Sequence, residues 1–103
     1  MSPWHDMFVA LGSLPDRVYA KWTVNPDTRF HFAIPKAEFV EDHQFSSNIE
    51  FPFPFEAVDE LEIYRQYGPT RNDLEAVYRA IAHLDQFQIS KNTDRIFISV
   101  KSA

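Results

Sequence analysis

The side chains with chemical potential are four histidines, His5, His31, His43 and His83, and an excess of carboxylates. Fifteen acidic residues stand against ten Lys and Arg, for a net charge of −5. None of the histidines is spaced for a metal ion. No HxH or HxxxH pair occurs, and Asp42-His43 with Glu38 is irregularly separated, so no metal site is predicted. The chain has no cysteine, which excludes disulfides, thiolate metal sites and a cysteine nucleophile. Two glycines are too few for phosphate-cradling loops, and no GxSxG, GxGxxG or P-loop pattern is present. No catalytic residue and no cofactor is therefore predicted. Acid–base work by His31 or His83, with Tyr78 as a further candidate, belongs to the third-ranked reading, a small oligomeric enzyme.

The carboxylates are concentrated in the middle of the chain. From Lys36 to Tyr64, Glu38, Glu41, Asp42, Glu50, Glu56, Asp59, Glu60 and Glu62 face a single lysine. Within this stretch lies Glu50-Phe51-Pro52-Phe53-Pro54-Phe55-Glu56. Its prolines remove two backbone donors, so it cannot be a central strand. It is expected as an extended edge or connector with its three Phe on one side. Those rings either anchor a partner, ringed by acids, or plug the core while the prolines guard a sheet edge. The second reading weighs more for a small domain. The acidic run Glu56, Asp59, Glu60 and Glu62 is expected on or near a helix, where a solvated face is its commonest explanation. Acidity of this extent is nonetheless easier to explain with a basic partner than any one carboxylate is.

The leading functional expectation is a small, acidic, non-enzymatic protein-binding module or inhibitor. By analogy of size and charge alone, it is of the immunity-protein or phage-inhibitor type. It would dock Glu50, Phe53, Phe55, Glu56, Asp59, Glu60 and Glu62 on a basic protein partner. The alternative is single-stranded nucleic-acid binding through a basic, aromatic sheet face carrying Tyr19, Lys21, Arg29, His31, Arg95 and Phe97. Bases would stack there if Tyr19 and Phe97 are neighbours. The negative charge argues mildly against a dedicated DNA binder.

These residues need elements to hold them. Ser2-Pro3 reads as a helix start, with Trp4, Met7, Phe8 and Leu11 on the apolar face and Gly12 as the stop. Arg17–Val24 alternates, with Val18, Ala20, Trp22 and Val24 inward. Asn25-Pro26-Asp27-Thr28 then turns the chain into a second strand over Arg29–Ile34. A short helix is expected over Pro35–Val40 and a strand over Gln44–Phe51. Gly68-Pro69 suggests the end of a helix from about Glu56 to Tyr67, with a strand through Leu61–Tyr64 as the alternative. Thr70–Asp73 resembles a capping box opening a helix through Leu74, Val77, Tyr78, Ile81 and Leu84, with Glu75 and Arg79 as an exposed pair. Gln86–Ser90 and Arg95–Lys101 form a last hairpin, with Ile96, Ile98 and Val100 inward.

The fold class that follows is α+β: a two-layer sandwich with a mainly antiparallel sheet of about five strands and two to four helices on one face. At 103 residues the chain fits one domain. The first residues lack a signal-peptide pattern and no run approaches a membrane span, so a soluble, cytoplasmic protein with no membrane partner is expected. Oligomeric state and partner identity are not legible in the sequence.

Overall fold

The computed structural model describes residues 2–25 and 27–101. Its helix α1 spans Trp4–Gly12. The Ser2 hydroxyl accepts from the Trp4 amide at 3.3 Å, and Pro3 already has helical dihedrals, so the Ser-Pro start works as expected. Gly12 does not stop the helix by a left-handed turn, since the following Ser13 is right-handed helical. It is the contact point instead. A Cβ there would lie 2.6 Å from both the Ala37 nitrogen and the Pro35 carbonyl oxygen. Only glycine lets backbone approach that closely. Lys36, beside this contact, donates to the Leu14 carbonyl at 2.9 Å and ties the 35–37 segment to the end of α1.

Strands β1 (Tyr19–Val24) and β2 (Thr28–Ala33) pair antiparallel from Tyr19–Ala33 to Val24–Thr28. In their turn Asp27 adopts φ 68°, while Pro26 lies outside the described residues. Asp tolerates this left-handed region better than most residues do. The expected short helix over Pro35–Val40 is a single 3-10 turn at Ala37–Phe39.

Two expectations fail in the middle of the chain. Gln44–Phe51 is not a strand. It makes one isolated bridge, Val40 with Phe45, and then spends amides on nearby carbonyls, Ile49 on Ser46 and Phe51 on Ile49. Phe45 and Phe51 are buried because the segment wraps over the core, not because it is pleated. The helix from Glu56 to Tyr67 is also absent. A 3-10 turn at Phe55–Ala57 leads into strand β3, Val58–Tyr64, and then into the small hairpin of β4 (Gln66–Tyr67) and β5 (Thr70–Arg71). Gly68 takes φ 57° in the hairpin loop, so it turns a hairpin and does not end a helix.

Helix α2 spans Leu74–Ile81, capped by the Asp73 carboxylate on the Ala76 amide at 3.1 Å. The capping box at Thr70 is therefore displaced by three residues, because Thr70 and Arg71 belong to β5. Strands β6 (Phe87–Lys91) and β7 (Arg95–Val100) form the expected last hairpin.

The main sheet is five-stranded, in the order β2-β1-β3-β7-β6, with every neighbouring pair antiparallel. Ala20, Trp22, Val24, Leu61, Ile63, Ile96 and Ile98 point to one face and meet Trp4, Met7, Phe8 and Leu11 of α1 and Leu74, Val77 and Ile81 of α2 in one core. The expected two-layer α+β architecture is thus present, with two α-helices covering one sheet face. Phe8 sits at its centre, with ring centroids 5.5 Å or less from Trp4, Trp22, Phe45 and Phe55. Among the described residues no helix is long and apolar enough to cross a membrane.

Candidate functional site

The identity of β3 as a central strand redistributes the acidic run. Val24 pairs with Val58 while Thr23 pairs with Glu60, so Asp59 is the extra residue of a β-bulge. The bulge shifts the alternation by one. Val58 and Leu61 both face the core although they are three apart, and Glu60 and Glu62 turn to the uncovered sheet face. Asp59 and the preceding Glu56 stay at the strand's entrance, exposed.

There the structure forms an open cleft of about 600 Å³, bounded by Ser2 and Pro3 before α1, His43, Glu56, Asp59 and Val100. Trp4 lines the same cleft, and its indole nitrogen is a buried donor without a partner among the described residues. His43 also lines a second open cleft with Glu41, Asp42 and Gln44. The two are joined by the backbone, since the Phe55 amide donates to the His43 carbonyl at 2.8 Å. Glu41 and Asp42 border one of these clefts and Glu56 and Asp59 the other, with His43 shared between them. None has an ion-pair partner among the described residues. Val100, expected inward, is 40% exposed and supplies an apolar contact at the rim.

The rest of the candidate surface is dispersed. Phe55 is fully buried, touching Phe8 and Phe45, so it is a core plug and not an anchor for a partner. Phe53 is half-buried and stacked on Phe30 at 5.8 Å. Glu50 is exposed on the irregular segment. Glu62 is engaged by Arg95 at 2.8 Å and by the Tyr64 hydroxyl at 3.0 Å. These residues are contiguous in sequence around the Phe-Pro repeat, but the acids follow a strand, as in the alternative through Leu61–Tyr64, and not a helix. The bulge was the missed signal, since it gives a strand a three-residue apolar spacing.

The uncovered sheet face differs from its expected composition in the same way. Pairings run across it from His31 to Lys21, Glu62, Phe97 and Ser90. Tyr19 on β1 and Phe97 on β7 are not neighbours, because β3 lies between their strands. Glu60 and Glu62 place two carboxylates among Lys21, Arg29 and Arg95. Tyr19 instead faces Tyr67 at 6.4 Å, and Tyr67 contacts His31 at 4.7 Å.

The histidines stand apart: His31 lies on the sheet face, His83 is exposed after α2, and Tyr78 is exposed on α2. Among the described residues, no three His, Asp or Glu groups are arranged to hold a metal ion. At the opposite end of β3, Arg65 holds both oxygens of Glu75, at 3.1 and 3.3 Å. This hydrogen bonding keeps the Glu75 carboxyl below its ordinary pKa. The charged pair is thus complete at neutral pH and is lost only as the pH falls through that lowered value. The carboxylate is solvent-exposed, so screening keeps the pair's contribution small. Comparison with protein-family models, curated proteins and solved structures found no match.

Proposed function

We propose that the protein is a non-enzymatic binding module whose acidic cleft around His43 docks on a basic protein partner. The observation that carries this reading is that Glu41 and Asp42, and Glu56 and Asp59, line two open clefts that share His43, with none of the four in an ion pair among the described residues. Unpaired carboxylates on a concave surface focus negative potential and raise the encounter rate with a positive patch. Val100 and Pro3 give the same surface an apolar element that a partner side chain can cover. A Lys or Arg on the partner fits this combination, with its aliphatic stem on the apolar rim and its charge among the acids.

Charge reversal tests the reading. Glu56→Lys with Asp59→Lys is expected to slow association with the captured partner by about tenfold or more at low salt and to flatten its salt dependence. Both side chains are exposed, so the fold should be kept. Glu62→Lys, at a position already paired with Arg95 on another face, is expected to change the association rate much less. An effect of Glu62→Lys as large as that of the double change would indicate a loss of general charge and not a located site.

A further inference from the structure

A third cleft, formed by residues the acidic site does not use, has the opposite character. It lies between the β4–β5 hairpin and α2, has a volume of about 520 Å³, and is lined by Arg65, Arg71, Asn72, Asp73, Glu75 and Arg79. Three of its six lining residues are arginines, in a chain whose net charge is −5. The two carboxylates leave the lining with an excess of one positive charge, and each has a partner of its own. Asp73 caps α2 through the Ala76 amide, and Glu75 is held by Arg65. The Glu75–Arg79 pair expected from helical spacing is replaced by this longer-range one, so Arg79 faces the cleft without its own acid.

The three cations come from fixed parts of the fold. Arg65 is held by Glu75 and by donation from its Nε to the Thr93 carbonyl at 2.7 Å. Arg71 sits on β5 opposite Gln66. Arg79 projects from α2. Between them, the Asn72 amide donates to the Arg65 carbonyl at 2.8 Å and fixes the hairpin against the end of β3. β3 separates this cleft from the one at Glu56 and Asp59 by about 20 Å, from seven residues at strand rise, which is beyond the screening length at physiological salt. The acidic cleft therefore does not cancel the basic one.

We propose that this cleft binds the phosphate group of a small phosphate monoester, with Arg71 and Arg79 as its principal donors and Arg65 as a fixed wall. Guanidinium groups present paired N–H donors that match phosphate oxygens. An open, solvent-filled cleft implies weak, rapidly exchanging binding.

The test is an NMR titration of the full chain with inorganic phosphate and, in a second arm, with glycerol 2-phosphate, each against sodium chloride at matched ionic strength. Saturable shifts are expected at the Arg71 and Arg79 side-chain N–H groups and the Asn72 amide, in the phosphate arms only. Arg71→Ala and Arg79→Ala, both at exposed positions, should each weaken the apparent affinity by about tenfold. Tighter binding of the ester identifies a monoester ligand. Equal or weaker binding of the ester overturns that assignment. A linear, unsaturated response, or the same shifts with sodium chloride, overturns the site without recourse to any variant.

Discussion

Replacing Asn72 with alanine is expected to lower the unfolding free energy by about 3–5 kcal/mol, a large share of the stability of a small domain. Asn72 is a buried polar side chain, 3% exposed. Its amide nitrogen donates to the Tyr19 carbonyl at 3.0 Å and the Tyr64 carbonyl at 2.7 Å. Its oxygen accepts from the Tyr19 amide at 3.1 Å. The β1–β3 pairing runs from Val24–Val58 only as far as Lys21–Glu62. One side chain therefore supplies the link between the strands where their own ladder stops. Removing it leaves three backbone groups without a partner, each costing about 1–3 kcal/mol where water cannot reach. Asn72→Asp sharpens the test. It preserves shape and the acceptor, yet sets a carboxylate against two carbonyl oxygens, so it should be no better tolerated than alanine. Urea unfolding of both variants measures this. A loss below about 1 kcal/mol for Asn72→Ala would show that the strands hold together there without it.

Phe8→Ala is expected to be comparably severe, at about 3–5 kcal/mol. The ring is fully buried at the junction of α1, the sheet and the irregular 40–57 segment. Its removal opens a cavity that neighbouring rings, each packed against several others, cannot easily collapse. Phe8→Leu should lose markedly less, because it fills most of that volume. Thermal and urea denaturation with equal m-values would attribute the difference to packing. A Phe8→Ala loss no larger than that of Phe8→Leu would mean that the aromatic cluster repacks freely.

Alternation in β1, β2, β6 and β7 was legible because each strand has one face on the core and one face free. Trp4, Met7, Phe8 and Leu11 in α1, and Leu74, Val77 and Ile81 in α2, were legible by helical spacing. Two kinds of feature were not. The Asp59 bulge puts Val58 and Leu61 three apart on one face, which mimics a helix, and only the pairing with Thr23 and Val24 reveals the inserted residue. Phe45 and Phe51 alternate with polar residues like a strand, but side-chain pattern carries no information about where backbone donors go. The acidic character of the candidate site was visible in the sequence. Its location was not, because only the path of the 43–55 segment brings the cleft of Glu41 and Asp42 and the cleft of Glu56 and Asp59 together at His43. The same redistribution brought Glu60 and Glu62 onto the sheet face expected to be basic.

The proposed docking role is tested most directly by parallel affinity capture from the native host, using the wild-type protein and the Glu56→Lys, Asp59→Lys double variant, with quantitative mass spectrometry of both eluates. The acidic-cleft account predicts one basic protein that is enriched by the wild type, released by moderate salt, and lost from the variant. A partner retained equally by both proteins, or one with no positive surface, would contradict it.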